Sequence, residues 1–268
     1  MVADIFSYAF MQRALIAGLL IGIVVPILGV FLVLRRLSIM GDTMAHSAFA
    51  GVAIGAVLGV VPIWTAFAVV ITSALGIMKV RKAAKVAGDA ALAVFFALGL
   101  AVGIVLISLR PAFSVNLNGI LFGSLLLVGY EDIWILFAVV IGILVTFFLF
   151  YKEFFFVTLD EDLASVSGLS PDKFNYFLTV LAGVVVVASL RIVGVLLISG
   201  LMVIPALTSI QIARSFRQTI FLAVIIALSS VVCGLLLSFY VSAAPGGTIV
   251  LFTGTIFMVT LAIKRLAR

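Results

Sequence analysis

Charge is scarce in this chain. Only 10% of its 268 residues are Asp, Glu, Lys or Arg, against about 25% in a typical soluble domain. That scarcity excludes an ordinary water-facing surface. There is one cysteine, Cys233, in the middle of an apolar run. Neither a disulfide nor a thiolate metal cage can form within one chain, and Cys233 reads as a buried, inert thiol. Histidine also occurs once, at His46. No GxxxxGK[ST] loop is present, so the chain does not bind ATP through that motif. Neither an HExxH motif nor a pair of acids suggests an embedded hydrolase. No catalytic residues are expected, and the chain does not read as an enzyme.

Apolar sequence fills the space that charge leaves. Hydrophobic residues make up 66% of the chain and the mean hydropathy is +1.48. Repeated apolar runs identify an all-α, multi-pass transmembrane bundle, read as a single domain over residues 1–268. Arg13 precedes an apolar run about 21 residues long, which exceeds a signal-peptide core. The net charge of +6 would suit a nucleic-acid binder if it were clustered. Here the basic residues punctuate the apolar runs, as membrane orientation signals do. The expected partner is therefore the lipid bilayer, and no nucleic acid.

Nine crossings are expected, at about 14–34, 43–60, 63–78, 90–109, 133–150, 174–190, 192–212, 219–241 and 248–263. With nine, the connections assign thirteen of the sixteen Lys and Arg residues to one side. Only Arg13, Arg110 and Arg191 fall on the other. The rich side is expected to be cytoplasmic, with the N-terminus outside and the C-terminus inside. Residues 115–129 are apolar but lead directly to Glu131 and Asp132. They are expected to form a short re-entrant helix on the outer side, because a tenth crossing would invert the charges downstream. Gly18 with Gly22, and Gly51 with Gly55 and Gly59, are spaced for close helix packing and suggest a compact bundle with a possible dimer seam.

Three stretches can carry chemistry. In Gly41-Asp-Thr-Met-Ala-His46, the carboxylate and imidazole fall one helical turn apart. Both can ligate a divalent metal, and ionisable groups inside a membrane span are functional candidates by default. The alternative makes Asp42 a helix N-cap and His46 a hydrogen-bonded core residue. In the cytoplasmic stretch 158–171, Asp160 or Asp162 can cap a short helix. Leu163 and Val166 give that helix an apolar stripe, and Gly168 ends it. Glu161 and Ala164 complete it. Its acids disfavour an interfacial helix on the membrane and favour docking to a protein. In residues 191–208, Gly194, Ser199, Gly200 and Pro205 predict a locally opened span, with a plain kinked helix as the alternative. Glu131 and Asp132 read as an ordinary acidic loop.

These stretches resemble the permease subunits of bacterial and archaeal zinc, manganese and iron ABC importers, the ABC-3 family. Gly41-Asp-Thr-Met-Ala-His46, continuing to Ala50-Gly-Val-Ala-Ile-Gly55, is similar to the GDxxxH…PGVAxG segment. Val193-Gly-Val-Leu-Leu-Ile-Ser-Gly-Leu-Met-Val-Ile-Pro-Ala206 is similar to VGxLLVxALLVIPA. Asp160-Glu-Asp-Leu-Ala164 with Gly168 is similar to DxxxA…G, and Ala244-Pro-Gly-Gly-Thr248 to a late PGG turn. The resemblance implies a homodimeric permease in the cytoplasmic membrane of a bacterium or archaeon. It implies metal delivery by an extracytoplasmic binding protein and a drive from two cytosolic ABC ATPase subunits that hydrolyse the ATP. The cargo would be a divalent Zn, Mn or Fe ion, with no permanently bound cofactor. Asp42 and His46 then lie on the metal path, and residues 160–168 form the coupling helix. Ser199, Pro205, Asn116 and Asn118 are candidates for the path or its gate. Ala50 departs from the usual proline, and Asn116 and Asn118 stand where relatives commonly carry an aspartate. A secondary transporter coupled through Asp42, or a membrane scaffold, is the alternative class.

Overall fold

A computed structural model describes residues 8–84, 88–109, 117–124, 128–195 and 198–266, which form helices and turns with no strand among them. In chain order the helices are α1 (Ala9–Leu34), α2 (Met40–Leu58), α3 (Pro62–Ala84), α4 (Gly88–Leu109), α5 (Leu117–Phe122) and α6 (Tyr130–Leu149). They continue with α7 (Tyr151–Leu159), α8 (Glu161–Val166), α9 (Pro171–Val193), α10 (Ile198–Ile212), α11 (Phe216–Val241) and α12 (Pro245–Leu266). Among the described residues, α1, α3, α4, α6, α9, α11 and α12 are the seven helices long and apolar enough to cross a membrane. The second and seventh expected crossings coincide with α2 and α10, which fall short of that standard. At 15 residues, α10 rises only about 22 Å, less than the roughly 30 Å of a hydrocarbon core.

The weaker hydropathy of α2 follows from its position. It packs against α3, α4, α9 and α10, and from Thr43 to Ala53 every side chain is buried. A helix sheathed by protein needs no lipid-facing stripe and can carry Asp, His, Thr and Ser. Small residues allow the sheath to close. A Cβ added at Gly51 would lie 2.6 Å from the Ala66 Cα, and one at Gly55 would lie 2.8 Å from the Pro62 Cα. One at Gly18 would lie 2.8 Å from Val231 Cγ1. These glycine faces are therefore used inside the bundle, against α3 and α11, and do not form the dimer seam their spacing suggested. Gly59 instead ends α2 in the left-handed region, at φ +71°.

The expected turn at residues 190–192 is absent. α9 continues through Arg191 to Val193, and the chain breaks at Gly194, at φ +84°. Gly123, at φ +77°, follows α5 and lies against this break. A Cβ at Gly194 would stand 2.6 Å from the Phe122 carbonyl carbon, and one at Gly123 would stand 2.8 Å from that of Ile192. Only glycine combines this backbone conformation with such an approach. The six residues of α5 rise about 9 Å, so this helix is too short to be a tenth crossing.

α7 was not expected; its residues begin the connection between the crossings expected at 133–150 and 174–190. It is fixed by an aromatic hub. The Phe31 ring of α1 lies 4.8 Å from Phe147 of α6, 5.8 Å from Phe154 of α7 and 5.4 Å from Phe216 of α11. Phe154 in turn lies 5.3 Å from Phe174 of α9. Each such pair adds about 0.5–1.5 kcal/mol beyond its buried area.

Gly51→Val is expected to wedge α2 from α3 at a cost of about 1–3 kcal/mol and to lower the melting temperature in detergent. Gly254→Ala, whose Cβ meets nothing within 4 Å, should melt like wild type. Scanning fluorimetry of the purified proteins compares them.

Candidate functional site

Asp42 is the third residue of α2 and is half-buried. The N-cap is Ile39, which makes no side-chain capping bond. The capping alternative for Asp42 therefore fails. Its carboxylate sits within the first turn, at the positive end of the helix dipole, where an anion is stabilised. Gly41 admits α10 alongside it. A Cβ there would lie 3.2 Å from Met202 Sδ and 3.3 Å from the Ser199 Cα. The structure thus brings Ser199, on a separate helix, next to the start of the Asp42 segment.

His46 lies one turn deeper, with 5% of its surface exposed. Its Nδ1 is buried and has no hydrogen-bond partner. The ring instead meets Phe96 of α4 edge to face, with centroids 4.3 Å apart. Gly99 brings α4 this close, since a Cβ at that position would stand 2.8 Å from the His46 carbonyl carbon. The neighbouring Ser47 Oγ is also buried without a partner. Thr43 shows the contrast, because its hydroxyl donates to Ile39 O at 3.1 Å and Leu92 O at 3.3 Å. Most buried polar side-chain atoms are paired, so the unpaired His46 and Ser47 atoms do not fit the hydrogen-bonded core histidine of the alternative reading. Phe96, Gly99 and Ser47 were not singled out from sequence; only the adjacency of Ser47 to His46 could have marked it. Among the described residues no group of three or more His, Cys, Asp and Glu side chains could hold a metal. Asp42 and His46 supply two donors.

The expected opening near Ser199 and Pro205 is displaced. α10 is continuous through Gly200 and Pro205, and the backbone opens on its N-terminal side, at Gly194. Pro205 is buried, and its missing N–H leaves the Leu201 carbonyl without its usual helical partner. Asn116 lies outside the described residues. Asn118 falls on α5, whose end lies against the Gly194 break.

The short helix expected at residues 160–168 is present as α8, and its residues divide into two groups. Asp160 Oδ1 accepts from Leu163 N at 2.9 Å and caps the helix. Ala164 is fully buried, and Gly168 ends the turn at φ +86°. Glu161 forms an ion pair with Arg35 at the end of α1 and accepts from Asn175 Nδ2 at 3.4 Å. These residues fasten the helix to the bundle. Leu163 and Val166 point away from it, 53% and 87% exposed, and Asp162 is also exposed. Glu131 and Asp132 open α6, where Asp132 Oδ2 accepts from Gly129 N at 2.8 Å; Asp132 therefore acts as a helix-start acid.

Comparison with known proteins places this arrangement. Residues 7–264 match the family described as ABC 3 transport family. A Listeria monocytogenes protein, "Manganese transport system membrane protein MntC", is 34% identical over 95% of this chain and 91% of its own length. A Haemophilus influenzae "Probable iron transport system membrane protein" is 31% identical over 95% of this chain and 90% of its own. The structure of PsaBC from Streptococcus pneumoniae in complex with Fab contains a similar chain. It is 31% identical, with a TM-score of 0.87, over 97% of this chain and 95% of that one.

Asp160→Ala should remove the α8 cap at a cost of about 1 kcal/mol. Limited proteolysis is expected to cut the α7–α8 junction faster in Asp160→Ala and at nearly the wild-type rate in Asp160→Asn.

Proposed function

The chain belongs to the ABC 3 transport family, and from that premise we propose that it is the membrane permease of an ATP-driven importer of divalent transition metal ions, with Asp42 and His46 on the ion's path. The observation that carries this reading is a protein-sheathed helix bearing a carboxylate and, one turn on, a buried imidazole nitrogen with no partner. With the N-terminus outside, α2 starts at the inner side, so an imported divalent ion passing α2 would meet the His46 nitrogen first and the Asp42 carboxylate next. A hard carboxylate oxygen with a borderline imidazole nitrogen suits Mn, Fe and Zn alike. A two-donor site also suits transit, since an ion held by a complete cage could not leave. Ser199 adds a hydroxyl from α10, and the Gly194 break beside α5 is a candidate for the outer gate; Asn116, Asn118 and Pro205 remain candidates for the path or its gate. Relatives named for manganese and for iron transport support the cargo class.

In this reading α2 and α10 complete nine crossings, with the N-terminus outside and α5 entering from the outer side. The inner ends carry most of the basic residues, and Lys82 with Asp172 (2.6 Å) and Lys264 with Gln211 (2.8 Å) join helix ends at that pole. The exposed Leu163 and Val166 of α8 form the contact with a cytosolic ABC ATPase. Two copies of the chain, two ATPase subunits and an extracytoplasmic metal-binding protein make up the working assembly, in the cytoplasmic membrane of a bacterium or archaeon. A carrier driven by an ion gradient has no use for an exposed apolar stripe on α8, which favours the ATPase-driven reading.

Reconstituted with its ATPase, the Asp42→Asn/His46→Gln variant should lose ~10–100-fold in Mn²⁺ uptake, the range over which metal-site groups act, while ATPase binding is retained. Unchanged uptake would remove both residues from the path. Leu163→Asp is expected to abolish co-purification of the ATPase, and uptake driven by a proton gradient without any ATPase would reject the importer reading.

A further inference from the structure

Arg35 stands between the two functional regions. It is the C-cap of α1, yet its side chain is only 5% exposed. Its guanidinium pairs with Glu161 at the start of α8, and Nη1 also donates to Val157 O of α7 at 3.5 Å. One cation therefore ties the α7–α8 corner to the end of α1. Burial lowers the Arg35 pKa to about 10, with repulsion from Arg81 adding to the effect, so the group remains charged at neutral pH. A buried guanidinium is costly unless it is paired, and Glu161 is the acid that pairs with it. The Lys82–Asp172 pair nearby is exposed on both sides, and such pairs contribute little.

The connection from Arg35 to Asp42 is stiff. Arg36 N donates to Val33 O at 3.0 Å and Leu37 N to Leu32 O at 2.8 Å, the two bonds of a Schellman motif. Arg36 takes the left-handed position at φ +58°, and Leu37 is buried. Met40 N then donates to Leu37 O at 3.0 Å and Thr43 N to Ile39 O at 3.0 Å, so a hydrogen-bonded turn runs directly into the first turn of α2. Six residues lie between Arg35 and Asp42.

We infer that the Arg35–Glu161 ion pair is the positioning link that carries displacement of α8 into the α1–α2 turn and thereby sets the placement of Asp42 and His46. Neither residue touches the ion. Glu161 moves with the docking helix and Arg35 with the helix pair that carries the path, so the pair converts a push on Leu163 and Val166 into movement at Asp42. This rests on the reading of α8 as the surface that meets the ATPase.

The test uses the permease co-expressed with its ATPase and reconstituted in proteoliposomes, with Mn²⁺ uptake and phosphate release measured together. Glu161→Gln is expected to keep the ATPase bound and hydrolysing while Mn²⁺ moved per ATP falls about tenfold, a coupling loss within the usual range. The exchange Arg35→Glu/Glu161→Arg should recover most of that ratio. It is tolerable there because Glu161 is half exposed and Arg81 stands close to Arg35. A purely structural role would lower the yield of folded complex and leave the ratio unchanged. A wild-type ratio in Glu161→Gln, or an exchange no better than the single variants, would overturn the proposal. If Glu161→Gln does not fold, Arg35→Lys, which keeps the charge with a shorter reach, serves instead: an intermediate ratio supports the link and an unchanged one rejects it. Leu163→Asp run in parallel separates the two readings. Retention of the ATPase by that variant would reject docking through α8, whereas its loss beside a normal Glu161→Gln would reject the link alone.

Discussion

A helix that carries an aspartate and a histidine can lie at membrane depth only if other protein surrounds it. The packing of this bundle follows from that constraint. Ionisable groups facing acyl chains would be strongly unfavourable, so α2 is enclosed by α3, α4, α9 and α10. Enclosure at this density requires small residues at the crossings. Gly51 and Gly55 admit α3, Gly99 admits α4 at His46, and Gly41 admits α10 beside Asp42. Gly99 and Gly41 thereby set how closely α4 and α10 approach His46 and Asp42.

Local helical placement was legible in the sequence where tertiary partners were not. The Asp42 and His46 pair, the short helix after Asp160 and the small-residue spacing could all be read from residue type and periodicity. What could not be read depended on tertiary partners. Asp42 looked like an N-cap because caps are local, yet Ile39 starts α2 and leaves the carboxylate free of that duty. The turn expected at Arg191 rested on a single charge. The helix continues past it, and the break comes at Gly194, where the backbone of α5 must pass. α7 was missed because its nine residues, with Lys152 and Glu153 in the first turn, are too few to cross a membrane and fall between two expected crossings. The reason it folds back is the set of aromatic rings that wait for Phe154 on three other helices.

α8 illustrates how few residues can serve two purposes. Of its acids, one caps, one pairs with Arg35 and one faces solvent, and its apolar residues split between burial and exposure. A helix of six residues has little stability of its own. It persists because Asp160, Glu161 and Ala164 fasten it on one side, which leaves Leu163 and Val166 presented on the other.

The Phe31 hub has a mechanical implication. Rings from α1, α6, α7, α9 and α11 interlock at one level, and close-packed interiors resist gradual deformation. Sliding any one of these helices along its axis would unseat several rings at once. Tilting the set together would unseat none. Any movement that keeps these contacts would therefore carry the five helices as one block.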